Sequence, residues 1–200
     1  MEETSDALCG HRREVAALRE LVVLIDQRDA GLASHSGLVS KYAASTAEEL
    51  GVAPDQVSRV GLAGLVHDIG KVTLPDAILA KPGPLTSEEW AVVRTHPEQG
   101  AWLSAAAGLQ DVAQWVLSHH ERVDGRGYPH GLCGDEIPLE GRILAVVDAY
   151  EAMTAVRVYS PSMGHEQACA ELARCARTQF DPDVVRAFLE RAPRAAATAA

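Results

Sequence analysis

Two hundred residues at 47% hydrophobic content suffice for one domain with a sizeable core and require no second one. A formal charge of −10 argues against a nucleic-acid duplex as partner. No run approaches the roughly 18 apolar residues of a membrane span, and MEETSDALCG lacks the basic and apolar parts of a signal peptide, so a cytoplasmic chain without membrane insertion is expected. Aromatics are only 4% while Ala, Val and Leu abound, which favours an all-α class of closely packed helices. Cys9, Cys133, Cys169 and Cys175 form no CxxC and suit reduced thiols.

In chain order, Leu8, Val15, Leu18, Val22 and Ile25 recur at helical spacing and predict an amphipathic helix that sets residues 1–28 apart. After Asp29 to Gly31 a second helix runs to Leu50, with Gly51 as its stop and Pro54 opening the next. His35 stands in its first turn and, taken alone, is an ordinary helix histidine. The third helix, about Asp55 to His67, carries Val57, Val60, Leu62, Leu65 and Val66 and delivers His67-Asp68 from an apolar wall. A carboxylate there is costly to bury unless it is paired or metal-bound, and a His-Asp couple held by helix dipoles is the structural alternative. Gly70 breaks the helix and lets Lys71 turn back. A short helix follows around Pro75 to Leu79, then the rigid connector Lys81-Pro82-Gly83-Pro84. Thr86-Ser87-Glu88-Glu89 reads as a capping box for a helix reaching His96, and Pro97 suits a fresh helix start.

Asp111 is placed as the cap of a helix carrying Val112, Val116 and Leu117 and ending at His119-His120. Consecutive helical residues point about 100° apart, so two adjacent imidazoles converge on one ion only where the backbone leaves the helix. Gly125, Gly127 and Pro129 in the following ERVDGRGYP loop forbid its continuation. A surface histidine pair before a solvated turn is the other reading. Pro138 opens the apolar run Ile143, Leu144, Ala145, Val146, Val147 and Ala149, which Asp148 interrupts; a salt bridge or metal ligation accounts for an aspartate there. A helix over about His165 to Ala176 and a last one begun by Asp181-Pro182 close the domain at about residue 191, leaving an Ala-rich tail over 192–200 expected to be disordered.

HHERVDGRGYP, with His67-Asp68-Ile69-Gly70-Lys71 upstream, resembles the signature of the HD-GYP family, a branch of the HD metal-dependent phosphohydrolases that cleave cyclic di-GMP. The resemblance runs from about Asp29 to Phe188, through KPGPLTSEEW, HPEQG, GDEIPLEGRILAVVDAYEAMT and TQFDP. It implies a single HD-type helical bundle of about seven to nine helices over residues 29–191. Five of the eight histidines fall on the family's ligand positions. By resemblance one ion takes His35, His67, Asp68 and Asp148 and a second takes His96, His119 and His120, with Asp68 bridging. The ligand count points to two divalent ions, Fe or Mn first, with Zn, Mg, Ni and Co also allowed.

Such a pair activates a bridging water towards phosphorus. Asp68 and Lys71 are the implied catalytic residues; Lys71, Arg122, Arg126, Tyr128 and Arg157 are the implied substrate contacts, the arginines as phosphate forks or parts of a self-ordering loop. Tyr159 completes the family's Arg-x-Tyr loop. The implied activity is hydrolysis of cyclic di-GMP to pGpG, then GMP. An HD phosphohydrolase acting on another nucleotide and a non-catalytic sensing or docking module stay open. A regulatory protein or diguanylate cyclase, and a homodimer through the N-terminal helix, are compatible partners. Leu38, Val158 and Arg177 depart from the family's usual Arg, Pro and Gly, and Gly31 replaces the Glu that trinuclear members place four residues before the first histidine.

Overall fold

The computed structural model describes residues 32–155 and 162–192, and among these it is helical throughout, with no strand and two isolated bridges, Asp124 to Cys133 and Ala176 to Phe180. The predicted N-terminal helix, Asp29, Gly31, Arg157, Val158, Tyr159 and the tail beyond Ala192 lie outside the described residues. Nine α-helices follow in order: α1 (Leu32–Glu49), α2 (Pro54–Val66), α3 (Asp76–Leu79), α4 (Ser87–Val93), α5 (His96–Ala106), α6 (Gln110–Ser118), α7 (Leu139–Thr154), α8 (His165–Cys175) and α9 (Pro182–Arg191). One 3-10 turn, Ile69–Thr73, follows α2, and another, Gly134–Glu136, precedes α7.

A single core forms where α1, α2, α6, α7 and α9 meet. Val39, Ala43 and Ala47 of α1 and Val60, Ala63 and Val66 of α2 belong to it; Val112 and Val116 of α6, Ile143, Leu144 and Val147 of α7, and Val184 and Phe188 of α9 complete it. The small residues of α1 and α2 are what let the two helices lie close. Asp181 caps α9 by accepting from the backbone N–H groups of Asp183 and Val184, and the capping box of α4 is formed reciprocally by Thr86 and Glu89.

Two local expectations are corrected. Asp111 is not the cap of α6: the N-cap is Leu109, without a side-chain bond, and Asp111 in the first turn pairs with Arg59 of α2. The stronger charge-assisted partner wins the carboxylate and ties α6 to α2. The helix opened by Thr86 stops at Val93, short of His96, which begins α5 instead. Arg177, where glycine is usual in the resembling family, does adopt the left-handed backbone, at φ +70°.

The close approach that positions the site is at Gly70. A Cβ there would stand 1.9 Å from the His96 carbonyl oxygen and 2.6 Å from the Gly100 nitrogen, so the turn after α2 lies directly on the start of α5. Backbone atoms cannot yield as a flexible side chain would. Gly70→Ala is therefore expected to destabilise the fold by about 3 kcal/mol, the upper end of overpacking costs. A thermal melt of the variant matching that of the parent would show that this contact does not hold the two elements together.

Candidate metal centre

Four histidines are brought to one point by different helix ends. His67 is the C-cap of α2, His119 the C-cap of α6, His96 opens α5 just after α4 ends, and His35 lies in the first turn of α1. All four are buried. Three of them use the same device. His67 Nδ1 donates to the Gly64 carbonyl at 2.8 Å, His96 Nδ1 to that of Val93 at 2.7 Å, and His119 Nδ1 to that of Val116 at 2.6 Å. In each case the acceptor is the carbonyl three residues back, in the last helical turn, where carbonyls lack an intrahelical N–H. A carbonyl can only accept, so the proton sits on Nδ1 and Nε2 carries a bare lone pair in the neutral ring.

Those lone pairs meet. His35 Nε2 and His67 Nε2 are 3.3 Å apart, and His96 Nε2 and His119 Nε2 are 3.4 Å apart. Two bare nitrogens cannot hydrogen-bond to one another, whereas a first-row ion with nitrogen ligands at about 2.0–2.1 Å and a tetrahedral angle holds them at about this separation. Asp68 stands between the two pairs. Its Oδ2 is 3.3 Å from His67 Nε2 and 3.8 Å from His35 Nε2, while Oδ1 is 3.3 Å from His96 Nε2. Asp148 Oδ1 adds a carboxylate oxygen 3.4 Å from His35 Nε2 and 3.6 Å from His67 Nε2. His120 joins His96 and His119 in a second donor group, beside that of His35, His67 and Asp68. All seven expected ligands are thus brought together, and their donor chemistry fits divalent metal.

The electrostatics run the same way. Burial alone works against charge on His67, but Asp68 and Asp148 outweigh it and push its pKa up to about 10. The pair of carboxylates therefore draws a positive charge to this point, which a metal ion can supply in place of a proton. Burial holds His96 below the ordinary imidazole range, His119 well below it and His120 down to about 4, the neighbouring rings adding to the effect. Neutral rings are the ligating form. Burial pushes the Asp68 carboxyl up, but Lys71 and His67 together hold it well below the usual carboxylate range, with Lys71 Nζ 2.6 Å from Oδ2.

Two carboxylates were not foreseen. Glu151, one turn beyond Asp148 on α7, is buried and contacts Nδ1 of His35, so it does for this ring what the helix carbonyls do for the other three. The signal was available, since positions i and i+3 share a helix face. Glu121 is buried too; its carboxylate accepts from the backbone N–H of His130 at 2.7 Å and of Leu132 at 3.1 Å, folding the GYP loop back on itself. The loop closes tightly because Gly127 lies where a Cβ would meet the Arg122 nitrogen at 2.5 Å.

Of the expected substrate contacts, Lys71 lies at the centre and Tyr128 stacks on His120, with ring centroids 4.8 Å apart. Arg122 is engaged elsewhere: its fork holds Asp124, at 3.0 and 2.7 Å, and it donates to Gln179 at 2.9 Å, pinning the loop to the turn before α9. Arg126 is exposed, and its backbone N–H donates to Asp124 at 3.2 Å. Asp124 is drawn down to about 2, chiefly by Arg122.

Comparison with known proteins agrees with this geometry. A family model described as "HD domain" matches residues 19–184. The chain belongs to the HD domain family. It is 39% identical over 180 residues to the cyclic di-GMP phosphodiesterase response regulator RpfG of Xanthomonas campestris pv. campestris, covering 88% of this chain and 48% of that one. It is 36% identical over 169 residues to 3'3'-cGAMP-specific phosphodiesterase 2 of Vibrio cholerae serotype O1, covering 83% and 32% respectively. This HD chain thus spans half or less of the length of these curated relatives. Among solved structures, a cyclic GMP-AMP specific phosphodiesterase of V. cholerae (V-cGAP3) shares the fold with a TM-score of 0.68 at 17% identity, covering 90% of this chain and 49% of that one. No helix among the described residues is long and apolar enough to cross a membrane.

Carboxylates that orient a ligating imidazole typically contribute about 10–100-fold to metal affinity. Glu151→Ala is expected to lose affinity in that range at the His35 group. Chelator competition that returns the parent affinity would remove Glu151 from the centre.

Proposed function

We propose that the chain is a metal-dependent phosphodiesterase that hydrolyses a 3′-5′ phosphodiester of cyclic di-GMP to the linear pGpG. The observation that carries the reading is Asp68, buried between two histidine groups with one oxygen towards each. A single carboxylate shared by two donor sets is the arrangement of a binuclear site. His35, His67, Asp68 and Asp148 would hold one divalent ion and His96, His119 and His120 the other, with Asp68 common to both. Bound there, Fe(II) or Mn(II) supplies Lewis acidity for a water nucleophile and neutralises phosphate oxygens.

The chain's own residues do the rest. Asp68 is kept ionised by Lys71 and His67, so it stays a ligand rather than a proton carrier. Lys71, beside Asp68, places a cation where negative charge builds as phosphorus becomes five-coordinate. Tyr128, partly buried and held on His120, forms an aromatic wall beside the second group. Arg122 shapes the loop through Asp124 and Gln179, leaving Arg126 and Arg157, of the arginines that the resemblance implies, to contact substrate. The proposed substrate places the chain in the cytoplasm. A diguanylate cyclase docking on the GYP loop, and self-association through residues 1–28, are the partners the sequence supports.

A mixed cyclic dinucleotide is the second reading, favoured by 36% identity to a relative named for 3'3'-cGAMP. Chromatography of products from Mn(II)-loaded or anaerobically Fe(II)-loaded protein given cyclic di-GMP and 3'3'-cGAMP in parallel separates the two. Faster turnover of cyclic di-GMP is expected, and the reverse order would reassign the substrate. Asp68→Ala should abolish turnover and lower metal content, since the shared ligand is lost and two cations would repel at short range. Retention of both would mean that the centre is misassigned. Because Gly31 offers no carboxylate for a third ion, two ions per chain and accumulation of pGpG before GMP are expected; metal analysis returning three, or GMP without a lag, would overturn that expectation.

A further inference from the structure

Most described arginines are committed to carboxylates: Arg59 to Asp111, Arg142 to Asp181, Arg174 to Glu171, Arg191 to Glu49. In a chain of charge −10 this is the expected fate of a guanidinium. Arg94 is different. It is exposed at the corner where α4 ends, two residues before His96, and among the described residues no carboxylate forms an ion pair with it. Its guanidinium carbon lies over the Tyr128 ring, 5.4 Å from the centroid, and that ring is the one stacked on His120. Arg94 is therefore held, beside the ring that stacks on His120, by an aromatic face rather than by an anion.

The chemistry of that contact matters. A guanidinium held over a π face engages through its own plane and charge, and its five N–H donors, which lie in that plane, are not consumed. An Arg fixed this way keeps a fork free for a planar or tetrahedral anion. A cyclic dinucleotide brings two phosphates, and Lys71 beside Asp68 can serve only the one being attacked. The other needs a cation outside the centre. Arg122, the loop arginine of matching sequence pattern, already has its fork filled by Asp124.

We propose that Arg94 is a substrate-binding residue, gripping the phosphate of a cyclic dinucleotide that is not being cleaved, with Tyr128 holding it in position. The assignment rests on the phosphodiesterase reading above. It makes Arg94 a determinant of specificity: a diester with one phosphate gains nothing from it, whereas a cyclic dinucleotide gains a charge-assisted fork.

The test compares kcat/KM for cyclic di-GMP with kcat/KM for bis(p-nitrophenyl) phosphate in Mn(II)-loaded parent, Arg94→Gln and Arg94→Lys. The ratio of the two is independent of the folded fraction, so a partly unfolded variant still reports. Loss of a charge-assisted bond should lower the ratio in Arg94→Gln by about 10–100-fold, mostly through KM for cyclic di-GMP, with Arg94→Lys recovering part of it. A ratio equal to the parent's in Arg94→Gln would overturn the assignment, because the loss would then lie in the centre or the fold. A parent protein that cleaves bis(p-nitrophenyl) phosphate but neither cyclic di-GMP nor 3'3'-cGAMP would instead overturn the cyclic-dinucleotide reading, and this inference with it.

Discussion

The constraint on which the rest depends is the meeting of bare imidazole nitrogens around Asp68. Helix ends supply it. Carbonyls without helical partners take the Nδ1 protons of His67, His96 and His119, and Glu151 faces the same nitrogen of His35. Each ring is thereby turned so that Nε2, the better-exposed donor, points inward. Without a proton or a cation between them, lone pairs 3.3 to 3.4 Å apart in a buried site repel one another, and two carboxylates with little access to water add negative potential. Apolar packing elsewhere must hold these groups against that repulsion, and the packing of α1 on α2 and of α6 on α7 does so. A cation at the centre reverses the sign of the problem, so metal binding and stability are coupled here.

Convergence also demands that backbones touch where most side chains would keep them apart. Gly70 lets the turn after α2 rest on the first turn of α5, bringing Asp68 and Lys71 to His96. Gly127 lets the loop fold over the Glu121 backbone, and Tyr128 then donates its N–H to the His120 carbonyl at 3.2 Å and lays its ring on that imidazole. The same two words of sequence, HDIGK and HHERVDGRGYP, thus hold ligands and the glycines that allow the ligands to approach.

Much of this was legible. Apolar runs at helical spacing located α2, α6 and α7, because burying a stripe every three or four residues leaves a direct trace in the chain, while α1 was located by its breakers, Asp29 to Gly31 before it and Gly51 after it. Asp148 stood out since an aspartate inside an apolar helix costs too much to be incidental. Glu151 did not, because it sits beyond that run, among Tyr150, Ala152 and Met153, where an acidic residue looks like a solvated end; only the arrival of His35 from α1 shows what it faces. The pairing of Asp111 with Arg59 was hidden for the same reason. A cap can be read within four residues, whereas an ion pair across 52 residues requires the fold.

The cations of the GYP loop carry that lesson into specificity. Arg122 and Arg126 look equivalent in sequence, each beside an acidic residue or a glycine in a polar loop. Folding separates them, since Arg122 finds both Asp124 and Gln179 while Arg126 remains exposed. A guanidinium that has satisfied its fork within the chain can offer a ligand only part of its charge, and withdrawing it would cost the loop its anchor to the turn before α9. Arg94, which no motif marks, meets a ring instead of a carboxylate and keeps its donors. Which arginines can bind phosphate is therefore decided by which carboxylates the fold has already spent on them, and in so acidic a chain an arginine without one near the site is the informative exception.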